Sequence, residues 1–257
     1  MRVFVISLPG DDSRRSFMRE QLEGLGIEYE FFDAVRGSER LGDSRWYDPE
    51  EARRREDRSL RAGEVGCALS HAALYAEIAR RGLPWALILE DDARLHPDLP
   101  KVLAELEKGL IEQGDIVFLE RCDHYRRRNT LPLFGKYRIV EPRLVRFGSC
   151  CQSAGYIISQ GAAENMKDKN IPVKFPADNW GYYAGLVRFK GVIPSLTLIR
   201  QNVGLGSTIT QDNVRREFSP YSMKDLLWNG FKVYTPIGRF LKRKAKKMLG
   251  KINHGRD

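Results

Sequence analysis

Three carboxylates stand side by side at Glu90, Asp91 and Asp92, directly after the apolar run Leu87-Ile88-Leu89. Mutual repulsion disfavours such a triplet unless a positive charge sits among them. In extended geometry side chains alternate, so Glu90 and Asp92 would share one side of the chain. Two such oxygen donors suit a hard divalent cation such as Mg²⁺ or Mn²⁺. The plainer reading has Asp91 or Asp92 capping the following turn while the others are solvated. A second group lies in GEVGCALSH, where Glu64 and His71 are seven residues apart. On a helix that spacing puts them on one face, two turns apart. Spacing alone favours the structural account, an acid at a helix N-terminus and a hydrogen-bonded histidine.

The elements that must position these residues follow from apolar periodicity. Residues 2–8 (RVFVISL) read as a buried strand, and PGDD breaks it. Asp11 or Asp12 caps a helix carrying Met18, Leu22 and Leu25, ending near Gly26. Residues 29–35 are a second strand, which completes the strand–helix–strand unit of a parallel α/β sheet. Residues 37–62 are highly charged, with few aliphatics, and are expected to be an exposed loop, a loosely docked helix or a lid. Residues 63–82 form a helix with Val65, Leu69, Ala72, Ala76 and Ala79 as its buried stripe. A strand then runs into the acids. A helix over 97–113 and a strand over 115–120 follow, the latter ending at Glu120. Short strands are expected around YRIVE and RLVRF, another over 153–159 followed by a small helix, and one more over 189–199.

Bulk properties bound the function. A chain of 257 residues is long enough for one large domain with a substantial core, or for one domain plus an appendage. No window approaches the roughly 18–20 apolar residues of a membrane span, and the N-terminal apolar run reads as a strand, not a signal peptide. Cys67, Cys122, Cys150 and Cys151 show no CxxC spacing and are expected to be free thiols in the cytosol. The net charge is +9. Residues 235–257 carry eight Lys/Arg and one acid, which leaves only +2 for the first 234 residues. A nucleic-acid partner for the whole protein is therefore not expected. Within the tail, Ile237, Leu241, Met248 and Ile252 approximate one helical face, with Lys242, Arg243, Lys246 and Lys247 among the basic residues around it. Such a helix can lie on an anionic membrane surface; a disordered solubilising terminus is the alternative.

Three stretches in this order, VISLPGDDSRRSFMREQLEGLGIEYEFFDAVRG, GEVGCALSH and ALILEDDARL, resemble glycosyltransferase family 25, which includes bacterial lipooligosaccharide sugar transferases and is related to collagen galactosyltransferases. The resemblance is strong over residues 1–98 and weaker through SAGYIIS, PADNW and RQNVGLGSTI, to about residue 210. It implies a GT-A-like α/β fold, one Rossmann-type domain with a mostly parallel central sheet, placed over residues 1–220; the charge pattern sets residues 221–257 apart as a basic helical tail. It implies transfer of galactose or glucose from UDP-galactose or UDP-glucose to a lipid-linked saccharide, with inversion, as in a β-1,4-galactosyltransferase. A divalent cation, Mn²⁺ or Mg²⁺, is implied as cofactor, with Glu90 and Asp92 standing where such enzymes carry a DxD motif. Ser7, Leu8, Pro9, Arg14, Arg15, Asp33, Ala34, Glu64, Ser70, His71, Glu90 and Asp91 are the implied nucleotide-sugar contacts. For Arg14 and Arg15 an exposed helix start fits equally. Inversion needs a base to take the acceptor proton. Asp178, beside Trp180 and Tyr182 as sugar-stacking rings, is the candidate, with helix N-capping as its alternative role; Asp123 and Glu120 compete. The loop at 200–210 is a weak phosphate-binding candidate. Such an enzyme would work peripherally on the cytosolic face of the membrane. Two other classes stay open: a metal-dependent nucleotidyltransferase, and a non-enzymatic nucleic-acid or membrane binder acting through the tail.

Overall fold

A computed structural model describes residues 1–120, 122, 125–143, 145 and 152–199. Asp123, the loop at 200–210 and the basic tail, with Lys242, Arg243, Lys246 and Lys247, lie outside the described residues. Among the described residues no helix is long and apolar enough to cross a membrane.

The strands are β1 (Arg2–Ser7), β2 (Glu30–Asp33), β3 (Trp85–Glu90), β4 (Ala93–Leu95), β5 (Asp115–Phe118), β6 (Leu131–Phe134), β7 (Tyr137–Val140), β8 (Gly155–Ser159), β9 (Arg188–Ile193) and β10 (Thr197–Ile199). The helices are α1 (Asp12–Gly24), α2 (Pro49–Glu56), α3 (Ala62–Arg80), α4 (Leu99–Leu106) and α5 (Gln160–Met166). Eight strands form one sheet in the order β2-β1-β3-β8-β5-β9-β7-β6, and β4 pairs with β10 in a separate ribbon. The expected mostly parallel sheet is corrected to a mixed one. β8 runs antiparallel to both β3 and β5, and β7 antiparallel to both β6 and β9. Parallel pairing is confined to β1–β2, β1–β3 and β5–β9. Only the first of these joins carries the periodicity of a strand–helix–strand unit, so sequence could not place the reversed strands.

Both sheet faces are covered, so the central strands are apolar throughout. Val3, Val5, Leu87, Leu89, Val117 and Ile157 pack under α1 and α4. Their alternating neighbours Phe4, Ile6, Ile88, Ile116, Phe118, Tyr156 and Ile158 pack under α3 and α5. Helix α1 begins where expected, with the Asp11 side chain accepting from the Arg14 N–H at 3.3 Å. Helix α4 is shorter than expected, and Gly109 at φ +101° marks the turn that follows. The strand expected over 189–199 is two, β9 and β10, separated around Pro194.

Two corrections bear on the site. The stretch 37–62 holds a 3₁₀ turn (Gly37–Glu39) and α2, and it is docked. Tyr47, Ala52 and Leu60 bury against Val65, Ala68, Leu69, Val173 and Ala177 in a small third core. Few aliphatics were needed because Tyr47 also accepts the Leu60 N–H at 2.9 Å. The buried side of α3 also changes along its length. Val65 and Leu69 face this third core, whereas Leu74, Tyr75 and Ile78 face the sheet and Ala76 is exposed. Packing on two neighbours rotates the stripe and puts His71 at the junction, 2% exposed.

Candidate active site at the carboxyl ends of β1 and β3

β1 and β3 are adjacent and parallel, and the helices connected to them lie on opposite faces of the sheet. The crevice beyond their carboxyl ends is therefore a switch point, where open α/β sheets bind ligands. A cavity of about 260 Å³ opens there. Its lining includes Ser7 and Leu8 after β1, Arg14 on α1, Ala34–Ser38 after β2, Cys67, Ser70 and His71 on α3, and Glu90, Asp91 and Asp92 after β3. Gly37 and Gly66 close one wall backbone to backbone. A Cβ on Gly37 would meet Ala62 O at 1.8 Å, and one on Gly66 would meet Val35 O at 2.5 Å. Ser70 locks the same junction, its Oγ accepting the Val35 N–H at 2.8 Å.

The three acids diverge. Strand β3 ends at Glu90, so strict alternation does not continue. Asp91 is 8% exposed and accepts from Arg14 Nη1 at 2.5 Å. The same nitrogen lies 3.8 Å from Asp92 Oδ2. Ser7 Oγ, which lines the cavity with Asp91, is buried without a hydrogen-bond partner among the described residues. Arg14 is thus a built-in countercharge, buried to 8% exposure, and not an exposed helix start.

Glu90 turns toward α3. Its Oε1 accepts from Ser153 Oγ at 2.5 Å and lies 3.2 Å from His71 Nε2 and 3.9 Å from Cys67 Sγ. His71 Nδ1 lies 2.6 Å from the Tyr156 hydroxyl, which lies 2.7 Å from that of Tyr75. Burial pushes the Glu90 carboxyl up, but His71 and Ser153 outweigh it and leave it below its ordinary value. Asp92, Glu120 and Asp178 respond oppositely. Burial, and next the charge on Glu90, raise all three, Asp92 to about 6 and Glu120 to about 8. Asp92 Oδ1 and Glu120 Oε1 are buried without a hydrogen-bond partner among the described residues. Three carboxyls, Asp92, Glu120 and Asp178, therefore gather around Glu90, and of these Asp92 lines the crevice beside Glu90. The orphaned Asp92 oxygen, beside the Glu90 carboxylate at the cavity, would suit a hard divalent cation.

Other expected contacts are committed elsewhere. Arg15 pairs with Asp33 and lies over the Phe31 ring, and neither Arg15 nor Asp33 lines the cavity. Glu64 binds both Arg58 terminal nitrogens, at 2.7 and 2.6 Å, and accepts the Arg61 N–H at 2.8 Å. Burial pushes Glu64 up, yet these partners outweigh it and leave it low. It caps α3 and does not line the cavity. Pro9 contributes its carbonyl, which accepts from Arg36 at 3.0 Å. Trp180 is 1% exposed and packs against Phe118 and Tyr156 at 5.0 Å, so it is core and not a sugar platform. Tyr182 stacks on Phe175 at 4.1 Å beneath the Arg55 guanidinium, so its ring is likewise engaged. Asp178 keeps an exposed side. Sequence reasoning missed Arg36, Ser153 and Cys67. For Cys67 the signal was present: it lies four residues before His71, which is one face of a helix.

A family model described as glycosyltransferase family 25 (LPS biosynthesis protein) matches residues 1–180, which contain all of these site residues. The chain belongs to glycosyltransferase family 25. A family member from Drosophila melanogaster is 29% identical over 70% of this chain and 30% of its own length. The chain spans about 30% of the length of the insect relatives it matches. The lacto-N-neotetraose biosynthesis glycosyltransferase LgtE of Neisseria gonorrhoeae is 26% identical over 96% of this chain and 93% of its own length. A rat member named probable inactive glycosyltransferase 25 family member 3 is 33% identical over 46% of this chain. The family match and the similarity to LgtE along 93% of its length support a glycosyltransferase.

Proposed function

We propose that this protein moves a hexose, galactose or glucose, from its UDP form to a hydroxyl of a lipid-linked saccharide, with inversion, working at the cytosolic membrane surface through its basic tail. The observation that carries the reading is the gathering of Asp92, Glu120 and Asp178 around Glu90 beside the switch-point cavity. The glycine-walled part of that cavity, lined by Ala34, Val35 and Gly66, would take the nucleobase. Arg14 and Arg36 supply positive charge for a diphosphate. A divalent cation held by Asp92 and Glu90 would offset the charge of the departing UDP. Arg14 orients Asp91 and keeps the acids from repelling one another apart.

Asp178 is the base. It combines a solvent-reachable side with a carboxyl raised by burial and by Glu90, which strengthens its hold on a hydroxyl proton. Glu120 is raised further but is only 4% exposed, so an acceptor hydroxyl does not reach it directly. The test is to incubate the protein with a panel of UDP-sugars, with and without Mn²⁺, and to measure UDP. Metal-dependent UDP release, lost in Asp92→Ala, is the expected result. Pyrophosphate release would instead mark a nucleotidyltransferase, and full activity of Asp92→Ala in chelator would remove the metal from the reading.

A further inference from the structure

We propose that Cys67, His71 and Glu90 form a second cation site, of a different kind, that takes Zn²⁺ or a comparable borderline-soft ion. One donor atom from each residue lies within 4.8 Å of the others. Glu90 Oε1 is 3.2 Å from His71 Nε2 and 3.9 Å from Cys67 Sγ. Tetrahedral zinc, with Zn–N and Zn–O near 2.0–2.2 Å and Zn–S near 2.3 Å, separates neighbouring ligand atoms by about 3.3–3.6 Å. The two separations from Glu90 are thus within a few tenths of an ångström of that spacing, and the third, His71 to Cys67, is no more than 4.8 Å, before any ion draws the donors in.

The surroundings are those of a ligating set. Zinc-bound histidine commonly donates its other ring N–H to an oxygen. Here Nδ1 meets the Tyr156 hydroxyl at 2.6 Å, and Tyr75 continues the chain. Ser153 steadies Glu90 at 2.5 Å. Cys67 and His71 sit on consecutive turns of α3, so a regular helix fixes two ligands and β3 the third. All three line the cavity, which leaves the fourth position to water or to a ligand there. Glu90, Asp178 and Asp92 surround the thiol with negative charge, which attracts a cation. On binding, the Cys67 S–H proton leaves to solvent, the sulfur lone pair takes the zinc, and the His71 proton resides on Nδ1. The hard, oxygen-seeking ion proposed for Asp92 has no use for sulfur, so the two ions differ in chemistry while sharing Glu90.

The measurement needs no sugar substrate and is independent of the transfer reaction. Zn²⁺ is titrated into the full chain by calorimetry, and Co²⁺ is used as a spectroscopic substitute. One saturable zinc per chain is expected, together with a thiolate-to-cobalt charge-transfer band. The band should vanish in Cys67→Ser and persist in Cys122→Ser and in the Cys150→Ser/Cys151→Ser double variant. Tyr156→Phe, which removes only the partner of Nδ1, should weaken zinc by about 10–100-fold. Cys67→Ser is nearly isosteric, and an unchanged melting temperature shows that it folds. No saturable binding to the folded protein, or a cobalt band that survives Cys67→Ser, overturns the proposal.

Discussion

Arg14 Nη1 donates to Asp91 Oδ1 at 2.5 Å across 77 positions of sequence, joining the first turn of α1 to the end of β3. This ion pair answers much of the charge problem posed by three adjacent acids, before any metal is considered. Both side chains are about nine-tenths buried. Removing one partner of a buried pair strands the other charge and costs roughly 3–5 kcal/mol. Arg14→Ala should lose stability on that scale in urea unfolding. Arg14→Met combined with Asp91→Leu should recover much of it, because no uncompensated charge remains.

Asp92 titrates at about 6, raised by burial and by Glu90. Neutralising it relieves repulsion, so Asp92→Asn should unfold at the same or higher urea concentration than the parent. Turnover should still fall by about two orders of magnitude or more, since a cation at a phosphoryl leaving group is worth several kcal/mol. Kinetics and unfolding on the same preparation separate the two effects.

Glu120 gives a pH dependence of definite sign. Its ordinary value is 4.5 and its folded value about 8. The folded state therefore binds the proton more tightly. The resulting stability is complete below pH 4.5 and is lost as pH rises through 8. Glu120→Gln should flatten this decline. Unfolding at pH 5 and pH 9 should show the variant gaining on the parent at the higher pH, by an amount on the order of a few kcal/mol.

Gly66 is bounded by Val35 O at 2.5 Å and Gly37 N at 2.8 Å from the position a Cβ would take. Both are backbone atoms, so a methyl group must push the 3₁₀ turn and α3 apart. Gly66→Ala should cost about 1–3 kcal/mol. It should also raise KM for the donor, because the same wall bounds the cavity; a melting curve and a donor titration check the two parts.

Trp180 is core packing under the sheet. Trp180→Ala should cost about 3–5 kcal/mol. Trp180→Phe should keep KM for the acceptor near that of the parent while lowering the melting temperature. A large rise in acceptor KM at unchanged stability would return the ring to the sugar site.

Local patterns made the early elements legible. Branched apolar runs gave β1 and β3, Asp11 gave the start of α1, and helical spacing gave α3. Glu90, Asp92, Asp178 and Glu120 were all visible as acids at the ends of apolar segments. Their gathering was not, because Glu120 and Asp178 reach Glu90 through β5, the reversed strand β8 and the turn at Trp180. Trp180 and Tyr182 misled for a related reason: an aromatic next to an acid looks the same in sequence whether it faces a sugar or Phe118.

The sequence alone determined which segments bury, where the chain turns, and the family to which its motifs belong, because those depend on neighbours along the chain. Only the tertiary structure decided that Arg14 belongs to Asp91, that Arg15, Asp33 and Glu64 are occupied elsewhere, and that Cys67, His71 and Ser153 converge on one oxygen of Glu90. Charges interact through space and through the burial around them. Which charge meets which is therefore set by how the helices lie on the sheet, a relation that no local spacing encodes.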